Sequence, residues 1–269
     1  MRTHASMRMY DWPELHQAYD EFWAAIRDNI RASGLDAPER LDRSRPHFEN
    51  WSAPGLLFSQ TCGYPFTHAF AGNLQLLATP CYRAEGCDGP NYRSGIIVRR
   101  GSALVRGLDF RDARLTVNSL DSQSGYWALR AFAAALPDGK GRPREITISG
   151  GHRNSLRSVG NGDADVAAID AVCLAMAARH ESAALSRIQI VGWSEAAPGL
   201  PFVTAIDHPE SEVAVLRDAV IATVRDPRLS GLRESLFLND AVRLPPSAYG
   251  RIREIEKLAL KLDFPAPTT

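Results

Sequence analysis

At 269 residues, with 45% hydrophobic and 23% charged side chains, the chain has globular composition and the size of one large α/β unit or two ordinary lobes. Lysine plus arginine and aspartate plus glutamate number 31 each, so the basic excess of a nucleic-acid binder is missing. No apolar run approaches the length that spans a bilayer, so membrane insertion is excluded as an expectation.

The opening segment MRTHASMRMYDWPE lacks the apolar stretch of a secretory leader. The expected location is therefore cytoplasmic as the sequence stands, or periplasmic if a leader has been removed. Residues 6–10 read as a first strand, and Pro13 suits the first turn of a helix. Leu15, Tyr19, Phe22, Trp23, Ile26 and Ile30 recur at helical spacing, with Gly34 as the stop. A polar stretch, 36–45, separates this helix from short buried strands expected at 55–59 and 74–79. Four cysteines, Cys62, Cys81, Cys87 and Cys173, are too few for a disulfide framework. Cys81 and Cys87 enclose a short loop and could pair in an oxidising compartment; free thiols are the expected state.

From residue 93 the punctuation becomes regular. Strands are expected at 96–99, 115–117, 146–149, 166–169 and 188–191. Helices alternate with them at 126–136, from the GGHRNS loop to 159, and at 171–179. Such alternation implies parallel pairing in an open sheet covered on both faces. The C-terminal part reads as helices at 210–225, 229–238 and 246–262, followed by a frayed tail. No repeat or flexible tether is present, so any two lobes must be joined by strands.

Three loops each follow a short apolar strand and precede a helix: SQTCGYPF (59–66), NSLDSQSGY (118–126) and SGGHRNS (149–155). Ligands of open parallel sheets gather at the carboxyl ends of the strands. A helix N-terminus there offers unpaired N–H groups and partial positive charge, which suits an anion. Ser122, Ser124 and Gly125 place hydroxyls and bare amides at such a point, and Gly150–Gly151 allow the same approach before His152. Each loop alone is equally a good helix cap. Neither GxxxxGK[ST] nor GxGxxG is present, so nucleotide fingerprints are excluded.

His152 reads either as a half-buried cap residue or as a donor to a bound anion. Asp170, ending a strand, either caps the next helix or accepts from a protonated ligand oxygen or a ligand ammonium, which would set selectivity. Tyr10, Tyr64 and Tyr126 could each present a hydroxyl, with core packing as the alternative. The cysteines lack CxxC spacing and the seven histidines are scattered, so no metal and no cofactor is expected.

At these loops the sequence resembles the substrate-binding proteins of phosphate, phosphite and phosphonate ABC importers. The matching stretches are SQTCGYPF, TVNSLDSQSGYWALR and, most specifically, GGHRNSLRSVGNGDADVAAIDAV; the LPFVT segment and AYGRIREIEKLAL also fit. The resemblance implies a two-lobed periplasmic-binding-protein-like α/β fold of type 2. Each lobe would be an open mixed sheet flanked by helices, with the ligand in a cleft between lobes. Lobe 1 would comprise 1–98 plus 195–269, and lobe 2 would comprise 99–194. The ligand set it implies is Tyr10, Tyr64, Ser122, Ser124, Gly125, His152 and Asp170, to which the helix start adds Tyr126 as a further candidate. Gln123 stands where phosphonate binders often carry threonine, which bears on the choice of ligand.

The leading functional expectation is a monomeric, non-catalytic solute-binding protein that closes on a small oxyanion and is read by an ABC permease. One alternative is an enzyme on the same scaffold, hydrolase-like or like those of thiamine-pyrimidine synthesis. Ser124, His152 and Asp170 would then be nucleophile, base and orienter, but no GxSxG elbow is present. Another alternative is a cytoplasmic ligand sensor.

Overall fold

A computed structural model describes residues 3–268. Of these, one compact unit takes 3–83, 88–90 and 198–248, and a second takes 84–87, 91–197 and 249–268. Each unit is built on its own five-stranded mixed sheet flanked by helices.

The first unit orders its strands His4–Ser6, Leu56–Gln60, Phe202–Ala205, Leu74–Tyr82, Leu238–Val242. The first pair is parallel and the remaining neighbours are antiparallel. The helix His16–Ala32 buries Tyr19, Phe22, Trp23, Ile26 and Ile30, one stripe at helical period. Trp23 stacks on Phe58 at 5.6 Å and Phe58 meets Phe202 at 5.5 Å, so aromatic contacts tie helix to sheet.

The second unit orders its strands Ile188–Trp193, Ser94–Arg99, Val166–Asp170, Arg114–Val117, Glu145–Ile148. Only the last three run parallel; Ser94–Arg99 is antiparallel to both its neighbours. The core gathers Ile96, Val98, Phe110, Leu115, Leu129, Ile146 and Val166, all fully buried. Because three neighbouring strands share one direction, Val117, Ile148 and Asp170 end at the same edge of the sheet. The loops that follow therefore open together.

Several expectations are corrected. The unit boundary differs from 98/99 and 194/195 because Ser94–Arg99 pairs on both sides within the second unit. The last helix, Gly250–Ala259, belongs there too. The first strand is His4–Ser6, not 6–10. Ser6 already pairs with Ser59, next to the end of its partner strand, so residues 7–10 lie beyond the pairing. The helix expected at 229–238 covers only Ser230–Ser235. Phe237 adopts φ 55° and turns the chain into the strand Leu238–Val242, a conformation that ends any helix. The strand Phe202–Ala205 was not anticipated as a strand.

The tail is held and not frayed. Thr268 donates its N–H to Ile146 O at 2.8 Å and bridges Thr147 in parallel, covering the free edge of the sheet. Thr269 lies outside the described residues. All four cysteines are free thiols. Burial raises both Cys81 and Cys87, the latter to about 12 with the Asp170 charge adding to the effect, so both stay protonated. Among the described residues no helix is long and apolar enough to cross a membrane.

Leu115→Ala, in the middle of the second core, should cost about 2–5 kcal/mol. Urea unfolding checks this as a lowered midpoint; an unchanged midpoint would contradict this placement of the core.

Candidate functional site

The second unit brings four of the expected residues together. Ser122 caps a π turn, Gln123–Trp127, and its Oγ accepts from Gly125 N at 2.9 Å. Its carbonyl accepts from the N–H groups of Tyr126 and Trp127. The turn therefore folds back on Ser122, and Ser122, Gln123, Ser124 and Gly125 are all buried. Glycine is required at 125 for close approach: a Cβ there would lie 1.8 Å from Asn118 Oδ1. Asn118 Oδ1 is itself buried without a hydrogen-bond partner, an acceptor pressed against the turn.

The neighbouring loop delivers His152. Gly150 takes φ 82°, in the left-handed region open to glycine. Ser149 Oγ contacts Val117 O, Gly151 O and Ser155 Oγ, the last at 2.7 Å, which pins the loop to the adjacent strand and to the helix it starts. That helix, His152–Asn161, begins after Gly151 with no side-chain cap. Its first N–H groups therefore have no intrahelical acceptor and no cap from a side chain at Gly151.

His152 Nε2 lies 2.8 Å from Ser124 Oγ, and this contact joins the two loops. Either atom can donate, according to the tautomer. Nδ1 is buried and makes no hydrogen bond within normal geometry. Burial drives the imidazolium down to about 4, with the Ala168 backbone as a partial counterweight. The ring is neutral at physiological pH.

Asp170 stands at the end of the central strand, buried. Its Oδ1 accepts from Val172 N at 2.7 Å and Cys173 N at 3.4 Å, capping the helix Ala171–His180. The carboxylate is thus a helix cap, and its charge helps keep the Cys173 thiol protonated after burial itself.

The remaining expected residues have other surroundings. Tyr126 OH accepts from Arg130 Nη1 at 3.1 Å, and its ring meets Trp127 and Phe264 edge-on. These contacts pack Tyr126 within the unit and leave its phenol hydrogen free to be donated. Tyr10 and Tyr64 belong to the first unit. Tyr10 is buried with its ring 5.4 Å from Tyr82, and Tyr64 stacks on His68 at 3.9 Å. Asn118, Ser149 and Ser155 lie in two of the loops singled out from the sequence but are not among the expected ligand residues.

Among the described residues no group of three or more His, Cys, Asp or Glu side chains is placed to hold a metal ion. A cavity of about 520 Å³ lies at the opposite end of the same sheet, lined by Arg99, Ser102, Arg114 and Asp165. The Arg114–Asp165 ion pair occupies part of its wall, and it is separate from the Ser124–His152 loops.

Two outcomes are expected. Gly125→Ala should destabilise by about 1–3 kcal/mol through the clash with Asn118, and adding Asn118→Ala should recover part of the loss in chemical denaturation. Equal stability of Gly125→Ala and the parent would refute the close approach. In an NMR titration the His152 imidazole should stay neutral from pH 8 to pH 5 and protonate near 4. Its contribution to stability is complete above the ordinary value of 6.5. It is lost as pH falls from there through about 4, because the unfolded chain takes up the proton first. A midpoint near the ordinary value would show the ring is not desolvated.

Residues 56–249 match the family model described as ABC transporter, phosphonate, periplasmic substrate-binding protein. No curated protein matches the chain in sequence. Among solved structures, a binding protein component of an ABC phosphonate transporter from Pseudomonas aeruginosa superposes with a TM-score of 0.73 at 14% identity, over 96% of this chain and 87% of that one. PhnD1 from Prochlorococcus marinus, in complex with methylphosphonate, gives 0.71 at 12% identity over 97% and 98%. A Xanthomonas citri protein bound to chloride ion gives 0.69 at 15% identity over 96% and 98%. These likenesses establish the periplasmic-binding-protein fold. The family's role is solute binding, not catalysis, and it implies a small ligand and a permease partner. The chain belongs to the periplasmic substrate-binding proteins of phosphonate ABC transporters.

Proposed function

We propose that this protein captures a small phosphorus oxyanion (phosphate, phosphite or a phosphonate) at the Ser122–Gly125 turn and the N-terminus of the His152–Asn161 helix. The observation that carries this reading is the 2.8 Å contact between Ser124 Oγ and His152 Nε2 beside an uncapped helix start. A helix N-terminus presents open N–H groups and partial positive charge to an anion. The other two helix or turn starts at this sheet edge are capped by their own side chains, Ser122 and Asp170. The start at His152 has no such side-chain cap of its own.

Hydroxyl chemistry completes the cradle. With its proton on Nε2, neutral His152 donates to Ser124 Oγ and leaves the serine hydrogen for a ligand oxygen. Ser122 Oγ accepts from Gly125 N and keeps its own hydrogen to donate. Neutral donors of this kind hold an anion without a permanent cation, and a bound negative charge favours imidazolium over imidazole. Asp170, one strand away, disfavours a fully ionised ligand and favours one that carries a proton or an ammonium. Tyr10 and Tyr64, in the other unit, are not needed for this reading.

An enzyme built on Ser124, His152 and Asp170 would need the carboxylate to orient the imidazole. Asp170 Oδ1 is instead engaged with Val172 N and Cys173 N, and His152 Nδ1 makes no hydrogen bond to it. The same reading places the protein in the periplasm, working as a monomer that presents its ligand to a permease.

Methylphosphonate, phosphite and phosphate at about 100 times Kd should stabilise the native state by about 2.7 kcal/mol, seen as a raised Tm. Ser124→Ala and His152→Ala should fold and lose that response. Variants that keep the full shift would remove these residues from the site. A parent protein that responds to small carboxylates and to none of the three anions would overturn the ligand class.

A further inference from the structure

The C-terminal segment is clamped to both loops that carry the candidate site, although it lies far from them in sequence and mostly beyond the 56–249 match. One clamp is Arg130, in the helix Ala128–Ala134 that continues directly from the Gln123–Trp127 turn. Its Nη2 donates to Leu262 O at 2.9 Å and its Nε to Ala259 O at 3.1 Å. It thereby caps the last carbonyls of the helix Gly250–Ala259. Its Nη1 donates to Tyr126 OH, and its guanidinium lies 5.4 Å from the Phe264 ring centre, 5.8 Å from Trp127 and 5.9 Å from Tyr126. Two of these rings, Tyr126 and Trp127, are the end of the turn that carries Ser124.

The other clamp is the edge strand Glu145–Ile148. Thr268 N and Oγ1 both donate to Ile146 O, at 2.8 and 3.2 Å. That strand runs straight into Ser149–Gly151 and His152. Between the two clamps, Leu262 and Phe264 pack against the core of the second unit. One strap thus fastens the turn before Arg130 and the strand before His152.

We infer that residues 260–268 act as a strap that holds Ser124 and His152 in mutual register, with Arg130 as the positioning residue. Arginine is needed here because a planar guanidinium can donate to two carbonyls and a phenol while lying against aromatic rings, and an ammonium cannot do both. Loosening the strap lets the π turn relax and separates the two atoms that the site depends on. The strap's effect on affinity rests on the anion-binding reading above; its effect on loop order does not.

The test is hydrogen exchange on the full chain, with peptides covering 118–127, 149–154 and 260–268, in parallel with methylphosphonate titration. Arg130→Lys and Tyr126→Phe should speed exchange in all three peptides and weaken methylphosphonate by about tenfold. Leu236→Ala, a destabilising change in the first unit, should leave those peptides as in the parent. Faster exchange in 260–268 with unchanged exchange in 118–127 and 149–154 would overturn the strap. If the parent binds no phosphorus oxyanion, the ligand reading fails and the exchange data still decide the strap. Should Arg130→Lys fail to fold, Tyr126→Phe, which removes only one acceptor, decides alone.

Discussion

The contact between Ser124 Oγ and His152 Nε2 is the point on which the site turns. It is a side-chain hydrogen bond between two loops separated in sequence by an entire helix and strand, which also meet through Gly150 N and Asn118 O at 3.1 Å. Its chemistry follows from its surroundings. Burial keeps the imidazole neutral, so one ring nitrogen carries a proton and the other does not, and the serine hydroxyl takes whichever complementary role remains. A charged pair here would already satisfy itself. A neutral relay stays receptive to an incoming anion.

The fold supplies this arrangement through strand direction. Val166–Asp170, Arg114–Val117 and Glu145–Ile148 are parallel neighbours, so each hands the chain to the same edge and each is followed by a turn or a helix start. Two of those starts are closed by side chains already in place. Ser122 caps the π turn and Asp170 caps its own helix, whereas Gly151 brings no oxygen to the helix at His152. Of the three starts, the one at His152 has no side-chain cap of its own, which suits a place where a bound anion would complete the helix end.

Much of this was legible in the residues. The apolar stripe from Tyr19 to Ile30 and the helix over Glu210–Arg225 followed from period alone, because each buries one face against a sheet. The strand–loop–helix punctuation around Ser122–Gly125 and His152 marked two loops that the structure brings into contact. What the residues concealed is long-range. No local pattern says that Asn118 presses on Gly125, that Arg130 would reach Leu262 O, or that Thr268 would close a sheet edge. Nor does any local pattern say that a guanidinium one helical turn later donates to the Tyr126 hydroxyl. Leu229, Leu232 and Leu236 mimic a helical stripe that the reversal at Phe237 cuts short. Strand identity at Phe202–Ala205 and Leu238–Val242 likewise comes from pairing on either side of or beside Leu74–Tyr82, which is a tertiary fact.

The second unit thus holds a donor cluster assembled by parallel strands, kept neutral by burial and fastened by a C-terminal strap. A crystal structure of the protein with methylphosphonate tests the centre of this account most directly. It should place phosphonate oxygens within about 3 Å of Ser124 Oγ and of the first N–H groups of the His152–Asn161 helix. Density for the ligand that touches neither the serine nor that helix start would contradict it.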